Sequence, residues 1–413
     1  MKTFSGSGMF VACVLAVVIF TGCATPIADA VGASYDLRYM ATLLPAEGKA
    51  RVSIEVRQQE SLLHSADFAV DAERVELIAA DGSTEFANGR LQWRPPAGGG
   101  ALTLKIEVDH RRDDKAYDAR MTETWALFRT DDLFPPARTV TAPGAVSRAW
   151  LRIDAPADWS VVTAYGRGSG EWLAVDNPLR RFDRPTGWIA AGQLGVRVDH
   201  IADTEVIVAA PRGEQMRRND ILALLRWTLP EITQVFGSIP SPLTIVGAGD
   251  PMWRGGLSAA TSLYIHSSRP LISENGTSTL LHEVLHIAIG RRGDDWLVEG
   301  LAEYYALEAL VRSGSISQER YQAAHRQLQN WAREADKLAL ERSSGAQTAL
   351  AVTLLAELNT RVQRGTGAQR SLDDVVKQLS GHKLNLTELM RAARRVTDEP
   401  LGDLERRMRS LVG

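Results

Sequence analysis

Cysteine is almost missing from this chain of 413 residues: there are two, Cys13 and Cys23, both near the start. Downstream of them no disulfide can form and no thiolate can hold a metal. Histidine is sparse as well, at eight, so a metal site would have few imidazoles to draw on. Neither charge sign dominates. The formal net charge of -3 gives no reason to expect nucleic acid as a partner. The apolar run from Met9 to Phe20 is too short to span a bilayer comfortably. What is present is ordinary globular composition, 45% hydrophobic and 23% charged, with length for two or three cored domains.

The first segment reads as a targeting sequence. Lys2 precedes the apolar run, which ends Phe20-Thr21-Gly22-Cys23. That ending resembles the bacterial lipoprotein signal, in which cleavage precedes a cysteine that is then lipidated, although Phe20 is unusual at the first position. The resemblance implies a signal peptide over 1–22, lipidation at Cys23, and a membrane facing an oxidising compartment. Ala24 resembles the outer-membrane sorting signal, which places the protein in the bacterial cell envelope, lipid-anchored and facing the periplasm. Residues 23–34, rich in small side chains, are expected to be a tether.

From 35 to 202 the signal is alternation and turns. Ala50 to Val56 and Leu102 to Val108 alternate with period two. Asp81-Gly82 and Asn88-Gly89 are hairpin-type turns, and Pro95 to Gly100 reads as a loop, lacking the Lys-Ser/Thr of a phosphate cradle. Six of the ten tryptophans fall here, which suits aromatics buried between sheets. The expectation is a β-sandwich-like domain with no chemistry of its own.

From 203 to 313 strands and helices mix. Thr204 to Ala209 and Leu243 to Val246 read as strands, with a helix from Arg217 to Phe236 between them. Arg254-Gly255-Gly256-Leu257-Ser258 leads into a strand ending at His266, which is expected to be a strand-end polar residue. Gly255, Gly256 and Leu257 would let an extended peptide come close and pair along the backbone.

The chemistry lies in His282-Glu283-Val284-Leu285-His286 and Trp296-Leu297-Val298-Glu299-Gly300. Two histidines four apart on a helix share a face and can reach one metal ion, with Glu283 beside them to take a proton from a metal-bound water. Thr277 or Ser278 can cap that helix and Gly290 can end it. Glu299 is the candidate third ligand. Glu303, four residues on, can accept the free N–H of a ligand histidine, and the spacing also admits the reverse assignment. Glu308 lies off that face and is expected to be solvated, and His325 to be structural. From 314 to 413 the pattern is helical, with Ala349 to Leu358 strongly apolar.

These motifs resemble the gluzincin zinc metallopeptidases, nearest to the bacterial glycyl aminopeptidase branch, over roughly Thr204 to the C-terminus. The resemblance implies an α+β chain with a thermolysin-like catalytic domain closed by C-terminal helices. It also implies Zn2+ held by His282, His286 and Glu299, Glu283 as general base, and a peptide or protein substrate hydrolysed by the activated water.

Two positions depart from the pattern. The aminopeptidases carry a Glu after Gly-Gly-Leu that holds the substrate amine, and here Ser258 stands there. They also carry a Tyr pair serving the oxyanion, where this chain has Arg342-Ser343-Ser344-Gly345. Tyr264 and Tyr321 are the candidates to replace it. The expectation is a membrane-tethered zinc metallopeptidase. The alternative is a catalytically weak, peptidase-like lipoprotein that binds a peptide or envelope partner.

Overall fold

A computed structural model describes residues 33–175, 182–290, 293–340, 342–343 and 345–413. The signal, Cys23 and all but two residues of the expected tether lie outside the described residues. No helix among those described is long and apolar enough to cross a membrane.

Ser34–Leu44 sets the pattern of the N-terminal half. Its alternate residues Tyr35, Leu37, Tyr39, Ala41 and Leu43 are buried, the period-two signature of a strand with one face inward. It pairs antiparallel with Lys49–Arg57 and parallel with Val146–Asp154 inside a six-stranded sheet. A four-stranded sheet around Leu63–Ala69 and a second six-stranded sheet around Trp125–Arg129 and Trp188–Gly192 complete this half. Their inward faces share one core that includes Tyr39, Phe68, Trp93, Phe128 and Phe134.

Turn chemistry accounts for the connections. Asn88 and Gly89 both have positive φ and join the antiparallel pair Ser83–Ala87 and Arg90–Arg94, as a primed hairpin turn requires. Asp81-Gly82 differs from expectation. It turns the chain, but Val75–Ala80 and Ser83–Ala87 lie in different sheets, so it hands the chain across the core. Gly99 and Gly100 likewise open the strand Gly99–Glu107 and are not loop residues.

The second half is built on a five-stranded mixed sheet in the order Leu194–Ile201, Thr204–Pro211, Leu243–Val246, Ser262–Ile265, Gly256–Ser258. The domain division expected at 202/203 falls inside a hairpin. Ala202 and Asp203, both at positive φ, join Leu194–Ile201 to Thr204–Pro211, so the first of these strands belongs with the second sheet. The division expected at 313/314 does not separate cores either. One apolar cluster runs from Val206 through Leu285 and Leu301 to Leu355, Leu389 and Met408. Helix Asp295–Arg312 packs on helix Gly345–Gly365 so tightly that a Cβ at Gly300 would lie 2.6 Å from that of Ala351.

A third cluster joins the two halves: Leu127, Val162 and Trp188 on one side, Ile207, Val246 and Tyr264 on the other. The buried Trp188 indole N–H donates to the Leu257 carbonyl at 2.9 Å. The N-terminal half is thereby fixed to the last strand of the second sheet, beside the histidine-bearing helix.

Candidate metal centre

The helix Thr279–Ile289 begins at Ser278, whose hydroxyl accepts the Leu281 N–H at 3.3 Å, and ends at Gly290, at φ +73. Leu280, Leu281, Val284, Leu285 and Ile287 are buried, which turns His282, Glu283 and His286 to the other side, into a cleft of about 560 Å³. The next helix, Asp295–Arg312, brings Glu299 and Glu303 to the same place. Its Asp294 N-cap makes no side-chain cap bond, and the neighbouring Asp295 carboxylate instead accepts the Ser343 N–H at 2.6 Å.

His282 Nε2 and His286 Nε2 are 3.0 Å apart, and the Glu299 oxygens lie 3.2 and 3.3 Å from them. These three are the described residues whose donor atoms converge closely enough for one metal ion. Glu303 accepts from His282 Nδ1 at 2.9 Å, leaving Nε2 of that ring as the lone-pair donor. Two imidazoles and one carboxylate form the donor set of a catalytic zinc site with a position left for water or substrate. Facing lone pairs of this kind fit a cation and little else.

Without a cation the cluster is strongly coupled. Burial disfavours charge on His282, but hydrogen bonds to the Glu299 and Glu303 carboxylates outweigh it and push the imidazole up to about 10. Burial works against the Glu299 carboxylate too, and the two histidines hold it well below its ordinary range.

Glu283 is buried beside the cleft, with Gly256 packed against it. Of the glycine-rich stretch, Leu257 and Ser258 line the cleft. Gly255 lies under the Trp253 ring. Trp253, also lining the cleft, carries the Arg112 guanidinium over its ring at 4.0 Å.

Arg342 and Ser343 line the cleft where the expected tyrosines are missing. Tyr264 gives its hydroxyl to the Trp253 carbonyl and Tyr321 gives its own to Glu308, so neither lines it. His266 is buried and bonded to Ser268, away from the converging donors. Glu308 contradicts its expected solvation: it is 9% exposed and held by Tyr321 and Arg312. A helix packed on all sides has no solvent face at that position. His325 is half-buried, with its ring against those of Tyr304 and Tyr321. Asp295, Trp253 and the Arg342-Ser343 pair were invisible as site residues, since no motif spacing links them to the histidines.

The elements together form an M1 aminopeptidase-like architecture, mixed α+β with N-terminal sheets and C-terminal helices. The chain is similar to an aminopeptidase N family protein from Idiomarina loihiensis, at 13% identity and a TM-score of 0.66, over 90% of this chain and 78% of that one. It is also similar to an M1 zinc metallopeptidase from Deinococcus radiodurans, at 17% identity and a TM-score of 0.55, over 92% of this chain and 93% of that one. A variant of the Deinococcus radiodurans enzyme bound to a Tyr-Ser-Ala substrate gives 16% and 0.58, over 92% and 94%. No protein-family model and no curated protein matches the chain. At these identities the likeness establishes the fold.

Proposed function

We propose that the protein is a membrane-tethered zinc metallopeptidase of the gluzincin type that hydrolyses peptide bonds. The observation that carries this reading is the meeting of His282, His286 and Glu299 around one point, with Glu283 on the same helix and Glu303 behind His282. Zinc, when bound by those three, polarises the scissile carbonyl and lowers the pKa of water in the site. Glu283 takes the proton of the attacking water and returns it to the leaving amine. Glu303 fixes the His282 tautomer. The strand Gly256–Ser258, last in its sheet, is where an extended peptide pairs along the backbone, with Leu257 and Ser258 at the cleft and Gly255 and Gly256 packed behind them against Trp253 and Glu283. The peptide in the Deinococcus radiodurans relative supports a peptide substrate. The Phe20 to Ala24 sequence supports a lipid anchor at Cys23 on the outer membrane, facing the periplasm. Within the gluzincins, the sequence motifs favour the glycyl aminopeptidase branch.

A second reading has its own support. Ser258 replaces the amine-holding Glu, and among the described residues lining the cleft there is no tyrosine. A missing oxyanion donor can cost about a hundredfold or more in rate, which favours a catalytically weak protein that binds a peptide or envelope partner.

The test is a diverse peptide mixture incubated with zinc-loaded protein and read by mass spectrometry, beside the Glu283→Gln variant. Cleavage that Glu283→Gln abolishes while keeping zinc is the expected result. Retained turnover in that variant would sink the mechanism. Products shortened by single N-terminal residues mark an aminopeptidase, and internal cuts an endopeptidase. No difference from the variant favours the binding protein.

A further inference from the structure

We propose that the cavity beyond Ser258 is a carboxylate-binding subsite of the same cleft, and that Arg129 of the N-terminal half is the residue that reads it. This rests on the peptidase reading above. The cavity measures about 450 Å³. One wall carries Arg129, Asp131 and Arg184. The other carries Ser258 and His286, which also line the metal cleft. The two cavities therefore adjoin, and a peptide across the metal centre extends into the second.

The cations there are not equivalent. Arg184 is committed: its Nη1 donates to Asp131 Oδ1 at 2.7 Å and to the Phe134 carbonyl at 3.1 Å. Arg129 has no carboxylate within ion-pair distance among the described residues, and its Nε is buried without a hydrogen-bond partner. Its guanidinium carbon lies over the Trp188 ring, 5.9 Å from the centroid. Asp132 does not neutralise it, because that carboxylate accepts the backbone N–H of Arg129 and faces His110 at 3.8 Å. An unpaired, partly buried guanidinium is costly unless something occupies its fork. A planar carboxylate fits that fork with two parallel hydrogen bonds. In a peptide it comes from an Asp or Glu side chain or from the C-terminus.

The position is rigidly set. Arg129 pairs in register with Trp188, and Trp188 is bonded to Leu257 of the substrate strand. The hydroxyl and the backbone N–H of Thr130 both donate to the Gly187 carbonyl, at 2.7 and 2.8 Å. The N-terminal half is thus expected to select substrate as well as to support the fold.

The test uses the full chain carrying Glu283→Gln and loaded with zinc, so that peptides bind without being cut. Four peptides of otherwise one sequence are titrated by calorimetry: central Glu or Gln, each with a free or amidated C-terminus. A loss of about tenfold or more on exchanging Glu for Gln assigns the side chain, and a similar loss on amidation assigns the C-terminus. Adding Arg129→Ala is expected to erase that difference while the Gln amide peptide binds as before. Arg129→Lys, which keeps charge but loses the fork, is expected to restore part of it, and thermal melts of both variants verify the fold. Equal binding of all four peptides overturns the proposal, as does discrimination that survives Arg129→Ala. Cleavage by the protein with Glu283 intact is scored separately. Cleavage without discrimination overturns the subsite alone, discrimination without cleavage overturns the peptidase reading alone, and no peptide binding overturns both.

Discussion

Gly256 and Glu283 are in direct contact: a Cβ placed on Gly256 would lie 2.9 Å from Glu283 Cγ and 3.2 Å from its Oε1. The glycine therefore sets where the proposed base sits, although Gly256 is outside the cleft lining. Gly256→Ala is expected to displace the carboxylate and lower kcat by about a hundredfold, the cost of a misplacement of order 1 Å. The zinc ligands are untouched, so metal content measured by mass spectrometry should equal that of the parent. Loss of zinc together with activity would mean that the strand supports the whole helix and not this one side chain.

Glu303 reaches the metal centre only through His282. Glu303→Gln keeps the size but can present its amide N–H to Nδ1 and favour the wrong tautomer. Zinc affinity, measured by competition with a chelator, is expected to fall about ten- to a hundredfold. Glu299→Ala should abolish tight binding, because it removes one of three donors. A larger loss from Glu303→Gln than from Glu299→Ala would favour the reverse assignment of ligand and supporting carboxylate.

The pH dependence of the metal-free protein follows from the same cluster. His282 is raised from its ordinary 6.5 to about 10, so its stabilisation is complete below about 6.5 and is lost as pH rises toward 10. Glu299 is lowered from 4.5, so its share is present above about 4.5 and is lost as pH falls below it. Melting temperature of chelator-treated protein should therefore be highest between those limits and decline on the alkaline side. Zinc must displace the His282 proton, so its apparent affinity should be greater at about pH 8 than at about pH 6. An alkaline decline that persists unchanged in the zinc-loaded protein would assign it to other groups.

The legible parts of the site were those encoded locally. Helical spacing put His282, Glu283 and His286 on one face and Glu299 with Glu303 on one side of the next helix, but the meeting of the two faces comes from helix packing, which spacing does not give. Ser278 and Gly290 were readable as caps because capping depends on residue type at one position. What was hidden depends on long-range approach. Arg129 and Ser258 line one cavity because Trp188 bridges the two sheets, and no local pattern in either segment foretells it. The hairpin at Ala202-Asp203 was missed for a similar reason: neither residue is a glycine or asparagine, yet both take positive φ under the constraint of two long paired strands.

Glu308 shows how burial can reverse a prediction made from helix geometry. Its carboxylate accepts hydrogen bonds from the Tyr321 hydroxyl and from Arg312 Nε at 2.9 Å, and Arg312 turns to Asp373 as well, at 2.8 Å. Glu308→Ala would leave the hydroxyl of the half-buried Tyr321 without its acceptor and weaken the hold on a cation. Breaking such a pair costs about 3–5 kcal/mol when the remaining charge has no other partner. Asp373 still holds Arg312, so a loss of about 2–3 kcal/mol is expected, read as a fall in urea midpoint. Glu308→Gln keeps an acceptor for Tyr321 and should lose less. Zinc content should be the same in both variants, since Glu308 is not among the converging donors. A Glu308→Ala protein as stable as the parent would show that this network behaves like a solvated surface pair.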